Sequence, residues 1–179
     1  MLEVISERLV LRPFRVEDLQ TFVAYRRDPA VARYQGWETT YSMADAARFL
    51  AAQPTNPFRQ RGEWLQLAVV DRDTRGLLGD CAPQVIADQP ATAEIGVTLA
   101  TSSQGKGVAR EAVAGLVSVL VQQHGMHRVV AQADERNCPV HRLLKRLGFR
   151  CEGRLVEADW FKGEWHTLRI YAVLESEWR

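Results

Sequence analysis

Residues 93–112, AEIGVTLATSSQGKGVAREA, constrain the fold most, because the chain changes period there. The stretch begins as an apolar β-like run and ends in the longest helical pattern of the sequence, residues 107–123. In that helix Val108, Ala112, Leu116, Val119 and Leu120 fall on one broad apolar face. Gly105 and Gly107 stand at the junction. They remove side chains where a helix start exposes unpaired N–H groups, which favours a bound anion, above all a phosphate or pyrophosphate. On glycines alone an ordinary strand-to-helix turn is the preferred reading. The loop is not a Walker loop, because no Gly-Lys-Ser/Thr follows four residues after a glycine, and it is not a dinucleotide fingerprint.

The flanking sequence supplies the rest of an α+β, or mixed α/β, fold. Residues 8–14 alternate Leu9 and Leu11 with arginines and predict a strand. Leu19, Phe22, Val23 and Arg26 predict a helix over 16–27, ended by Asp28-Pro29. Ser42 with Asp45 reads as a capping pair for a second helix carrying Ala46, Ala47, Phe49 and Leu50. Residues 64–70, 77–86 and 93–99 predict an antiparallel meander, with Pro83 marking an edge or a bulge. Residues 128–133 read as a buried strand, and 139–147 as a helix closed by Gly148. Strands over 149–160 and 165–174 flank Lys162-Gly163. The order β-α-α-β-β-β-α-β-α-β-β predicts a mixed sheet with helices on both faces.

The chain has 179 residues and no linker or repeat, so one domain over 1–179 is expected. A net charge of +1 argues against nucleic acid as a partner, since phosphate binding asks for a strongly basic surface. No apolar run is long enough for a transmembrane helix, and the acidic start is not a signal peptide. Cys81, Cys138 and Cys151 are odd in number and scattered, which points to a reducing, cytoplasmic setting. His124 and His127 lack further ligands, so no metal is expected.

Gln104-x-x-Gly107-x-Ala109 resembles the acetyl-CoA pyrophosphate loop of the GCN5-related N-acetyltransferase (GNAT) superfamily. Arg8-Leu9-x-Leu11-Arg12-Pro13, Asn137, Leu147-Gly148-Phe149, Glu152-Gly153 and Lys162-Gly163-Glu164-Trp165 resemble its branch of bacterial ribosomal-protein alanine and serine N-acetyltransferases. The resemblance runs over roughly residues 8–175. It implies a mostly antiparallel sheet in which the strand over 95–99 splays from the strand over 128–133. The pantetheine arm of acetyl-CoA would pair with the backbone of that strand, including Ile95, Val97 and Leu99. The pyrophosphate would sit on the N–H groups of Gln104, Gly105, Lys106, Gly107, Val108 and Ala109, and Asn137 would reach the thioester end. Asn137 before a proline-containing first turn is also good helix-capping chemistry.

The implied activity is N-acetyl transfer from acetyl-CoA to a primary amine, a protein N-terminus or a small molecule, by direct attack in a ternary complex. The amine must shed a proton, so a carboxylate base is needed. Glu94 and Asp159 are the candidates, Asp159 standing where the branch carries a glutamate. The N–H of Val97 would stabilise the developing oxyanion. The usual positions for a thiolate-protonating serine and tyrosine hold Val140 and Leu144. His141 is near them, but it reads as a surface helical residue. Those two absences keep a non-catalytic acyl-CoA sensor in play. The segment 35–41 would shape the acceptor site, with Glu38 favouring a cation. Trp37, Trp160 and Trp165 would line the acceptor pocket or pack in the core, core being the preferred reading for Trp165. The basic cluster Arg142, Lys145, Arg146 and Arg150 would meet the coenzyme's 3′-phosphate or form a solvated helix face, the latter being the preferred reading. A homodimer is compatible with the resemblance.

Overall fold

The computed structural model describes residues 2–54, 56, 58 and 60–179. β1 (Val4–Ile5) and β2 (Leu9–Pro13) lead into α1 (Leu19–Arg26), α2 (Pro29–Ala32) and α3 (Met43–Ala51). The meander follows as β3 (Leu67–Asp71), β4 (Leu77–Val85) and β5 (Thr92–Leu99). Then come α4 (Val108–Gln122), β6 (Arg128–Asp134), α5 (Cys138–Arg146), β7 (Arg150–Phe161) and β8 (Glu164–Leu174). Among the described residues the strands make one eight-stranded sheet, ordered β1-β2-β3-β4-β5-β6-β8-β7. Every pair is antiparallel except β5 with β6.

β3 shows how the helices come to cover both faces. Its residues are buried on both sides and alternate between two apolar clusters. Leu67 and Val69 join α4 and α5 through Leu116, Leu120 and Leu144. Ala68 and Val70 join α1 and α3 through Phe22, Val23 and Ala46. Phe22 is fully buried and packs against Phe14, Tyr25, Tyr41 and Phe49. Burial of one such side chain is worth about 1.5–3 kcal/mol.

Local chemistry explains the element ends. The Ser42–Asp45 capping pair is present, Asp45 N–H donating to Ser42 Oγ at 3.2 Å and Ser42 N–H to Asp45 Oδ2 at 2.8 Å. At the end of α5, Gly148 adopts φ +85°, Phe149 N–H donates to Leu144 O and Gly148 N–H to Lys145 O, a Schellman closure. Lys162 and Gly163 both have positive φ and form the two-residue turn between β7 and β8, as a type I′ hairpin requires.

Three differences from the sequence reading have local causes. Asp28-Pro29 ends the first helix and also starts a second, because Asp28 accepts from Ala30 N–H at 2.9 Å. The strand expected from residue 64 begins at Leu67, leaving Trp64 38% exposed. Pro83 lies inside β4 opposite Ile95, yet on its other side β3 has already ended; there its carbonyl accepts from Leu65 N–H at 3.0 Å, so no ladder donor is missed. The bulge falls earlier, where β3 advances one residue and β4 two at Leu78.

Candidate active site

β5 and β6 hold together over three pairs, Thr92 with Arg128, Ala93 with Val129 and Glu94 with Val130. Beyond Glu94 they part, while β5 stays paired with β4 as far as Leu99. The open side of β5 from Ile95 to Leu99 therefore carries N–H and C=O groups without a strand partner. A cavity of about 700 Å3 fills the gap. On the α4–α5 face it is walled by Val113, Val140 and Leu144, and on the α1–α3 face by Arg26, Trp37 and Asp80. It passes through the sheet.

At the far end of β5 the chain turns through Thr101–Ser103 into α4. Gln104, Gly105, Lys106 and Gly107 are exposed, and Gly105 and Gly107 have φ of +73° and +80°. Gly107 is the N-cap of α4 and supplies no side-chain cap, so the first N–H groups, at Val108 and Ala109, are open to an anion. Nothing lies within 4 Å of a Cβ built on Gly105. The loop is held from β2. Arg8 donates Nε to Glu111 Oε2 at 2.7 Å and its backbone N–H to Oε1 at 2.8 Å, and Nη1 reaches Lys106 O at 3.3 Å. Gln104 turns inward, its amide donating to Leu99 O at 3.1 Å and its backbone N–H to Thr101 O at 3.2 Å, so it shapes the loop, and its N–H is not the open donor the sequence indicates.

Asn137 lines the large cavity at the start of α5 and makes no side-chain cap bond. The helix-capping alternative is therefore not used. Val140 and Leu144 stand on the cavity wall as an apolar surface. His141 is not the surface residue the sequence indicates. It is buried, and its Nε2 bonds the carbonyls of Asp134 and Glu135 at 3.0 and 3.1 Å, pinning the end of β6 to α5. Cys138 is exposed.

Glu94 and Asp159 line one further cavity of about 340 Å3, which shares Glu94, Tyr34 and Gly36 with the large one. Glu94 sits where the two strands part, its carboxylate accepting from Gln84 at 2.9 Å and Gln132 at 3.2 Å. Asp159 comes from β7 and is exposed, without a side-chain hydrogen bond or ion pair among the described residues. Tyr34 to Trp37 and Tyr41 line the large cavity; Glu38 is not among its lining residues. Trp37 packs on the Arg26 guanidinium, 3.7 Å from ring centroid to carbon. Trp165 is 56% exposed rather than core, stacked edge-on with Trp160 at 5.2 Å. Arg142, Lys145, Arg146 and Arg150 are exposed. Among the described residues no cluster of His, Cys, Asp or Glu could hold a metal, and no helix is long and apolar enough to cross a membrane.

Three polar groups escaped the sequence reading. Asp80 on β4 is buried, accepting from the Tyr25 hydroxyl and from Gln66 at 2.6 Å; burial pushes its carboxyl up against the pull of Arg26 and those donors. Asp134 and His166 meet on the wall of the smaller cavity. The signal for His166 was the alternation His166, Leu168 along β8, both of which line that cavity. Burial alone would raise the Asp134 carboxyl, but hydrogen bonds from Arg136 and His166 hold it at about 2. An unfolded aspartate titrates near 3.9. The folded value is the lower one, so Asp134 contributes stability above about pH 4 that is lost as pH falls toward 2, at most about 2.5 kcal/mol. Urea unfolding of the wild type should weaken from pH 6 to pH 3 more steeply than that of Asp134→Asn. Parallel pH curves would show that this carboxyl does not titrate as the geometry requires.

A family model described as an acetyltransferase (GNAT) domain matches residues 8–150. The chain belongs to the GCN5-related N-acetyltransferase (GNAT) family. It is an acetyl-CoA-dependent N-acyltransferase by family. An uncharacterized N-acetyltransferase, p20, of Bacillus licheniformis is 29% identical over 173 residues, 97% of this chain and 96% of that protein. A GNAT-family acetyltransferase from Bacillus anthracis superposes with a TM-score of 0.88 at 23% identity, over 98% of this chain and 100% of that one. Spermidine N-acetyltransferase from Vibrio cholerae, solved with CoA and spermine, gives 0.81 at 20% identity over 96% and 98%. At these identities the two structures speak for the GNAT fold.

Proposed function

We propose that this GNAT chain moves an acetyl group from acetyl-CoA to a primary amine by direct attack within a ternary complex. The observation that carries this reading is the cleft through the sheet. On the α4–α5 face it is walled by Val113 of α4, the helix that the loop of Gln104 to Ala109 starts, and on the α1–α3 side it adjoins the acidic cavity. A donor can enter from one side and an amine from the other, with no enzyme-bound acyl group between them. The fit to a CoA-type donor rests on this chain's own groups. Backbone without a strand partner on Ile95 and Val97, and the N–H of Leu99, suit the amides of a pantetheine arm, the open helix start suits its pyrophosphate, and Asn137 faces the same cleft. The bound donor supplies an electrophilic thioester.

The chain's residues then orient and deprotonate. The N–H of Val97 would orient the donor carbonyl. Asp159 and Glu94 draw an ammonium group into the smaller cavity, and Asp159, whose oxygens are free, takes its proton. Val140 and Leu144 offer no proton to the departing thiolate, which would leave unassisted and be protonated once it reaches solvent. The acidic lining of Glu94, Asp134 and Asp159 favours a cationic acceptor, in keeping with the spermine bound by the Vibrio cholerae neighbour. A ribosomal-protein N-terminus, the acceptor implied by the sequence resemblance, also presents an ammonium. Self-association would use the outer edge of β7 and the exposed Leu155, Val156 and Trp160.

Calorimetric titration with acetyl-CoA, followed by a thiol-release assay against a panel of amines, tests the reading. Saturable binding and acceptor-dependent CoA release are expected. Binding with no CoA release by any amine would leave the sensor reading, and no binding would remove both.

A further inference from the structure

A cleft filled by donor and amine leaves little room for the water that would carry off the amine's proton. The wall of the smaller cavity offers another exit. His166 on β8 is 5% exposed and lies directly across the ladder from Asp159 on β7. Opposed residues of an antiparallel pair keep their Cβ atoms about 4.5–5.5 Å apart on one face. Nδ1 of His166 hydrogen-bonds Oδ2 of Asp134 at the end of β6. Its Nε2 stands 3.3 Å from Oε1 of Glu164, whose side chain is 59% exposed. The imidazole thus touches the cavity on one side and a solvent-facing carboxylate on the other.

The charges around it come from every neighbouring element. Asp134 belongs to β6 and Arg136 to the turn after it; Asp159 belongs to β7 and Glu164 to β8, while Glu94 on β5 and Tyr34 after α2 complete the cavity. Arg136 donates to Asp134 at 3.0 Å and to Glu164 at 3.1 Å, and its Nη2 is 2.8 Å from Nδ1. It fixes both carboxylates beside the ring. An Nδ1–H given to Asp134 leaves Nε2 as the accepting nitrogen, with Arg136 Nη2 at 3.4 Å and Glu164 Oε1 at 3.3 Å beside it.

We infer that His166, oriented by Asp134, is a proton-relay residue that carries the acceptor's proton from Asp159 to Glu164 and so to water, a role that rests on the acetyl transfer proposed above. The steps balance without another reagent. Asp159 takes a proton from the ammonium group, and its carboxylic acid, unbonded and free to turn toward the residue opposite it on β8, passes that proton to Nε2. The imidazolium gives the same proton to Glu164, which releases it to solvent. Nδ1 keeps its proton, hydrogen-bonded to Asp134, throughout. His166 does not touch the reacting atoms; it restores the base that does.

The test is steady-state CoA release with an active amine, comparing wild type with His166→Ala, with and without added imidazole. Imidazole has no primary amine and can occupy the space the side chain vacates. The variant should lose about 100-fold in kcat, keep its KM for acetyl-CoA, and regain activity saturably with imidazole. Glu164→Gln, an exposed change that does not endanger folding, should lower kcat several-fold with KM unchanged. A His166→Ala kcat within about twofold of wild type, a loss that imidazole does not relieve, or an unaffected Glu164→Gln would each overturn the relay alone. A wild type that releases no CoA with any amine would overturn the acetyl-transfer reading and the relay with it.

Discussion

Gly107→Trp is expected to abolish acetyl-CoA binding while leaving the chain folded. Gly107 holds φ +80°, a conformation that costs a side-chain-bearing residue roughly 1–2 kcal/mol. A Cβ there meets only the flexible end of Arg8, at 3.4 Å, so the backbone is not forced apart. The indole must instead lie over the exposed helix start, where the open N–H groups of Val108 and Ala109 point. Calorimetry should show affinity falling by at least about 100-fold, nearly 3 kcal/mol, with a melting temperature lowered by only a few degrees. Gly105→Ala is the contrast: φ is again positive, but space around the Cβ is open, so binding should weaken much less. Unchanged affinity in Gly107→Trp would move the donor's phosphates away from this loop.

Asp159→Asn should be the most damaging single change to turnover. Asparagine keeps the shape and removes the carboxylate whose oxygens carry no other hydrogen bond among the described residues and can take the proton. Loss of a positioned base costs about 100- to 10,000-fold in kcat. Glu94→Gln should cost less, because both Glu94 oxygens already accept from Gln84 and Gln132, which fits it for holding charge rather than moving protons. The two variants are read by kcat and by acceptor KM at several pH values. The Asp159→Asn defect should shrink as pH rises and more of the amine is already free. A defect that stays constant with pH, or one larger in Glu94→Gln, would reassign the base.

Most of the scaffold was legible because it is written locally. Period and capping located β2, α1, α3, α4 and α5, and the Lys162-Gly163 pair located the last hairpin. The loop of Gln104 to Ala109 was legible for the same reason, since glycine at a helix start has a direct physical meaning. The groups that escaped are those assembled by long-range pairing. His166 faces Asp134 because β8 crosses to lie beside β6, and Asp80 meets Tyr25 because α1 folds over β4. His141 was misjudged because its partners are carbonyls at the end of the preceding strand, which no helical period reveals. Trp165 was misjudged because it stands at the start of β8, before the pairing with β6 begins at Leu168, so only the exposed outer strand β7 flanks it.

The parting of β5 from β6 has a consequence for how such a chain can change over time. The groups it frees are main-chain amides, the same whatever side chains Ile95, Val97 and Leu99 carry, provided the strand keeps its partner β4. The acid-lined half of the cleft is built from side chains on five separate segments, each replaceable one codon at a time. One half of the recognition is therefore inherited with the topology, and the other is free to be rewritten without refolding the protein.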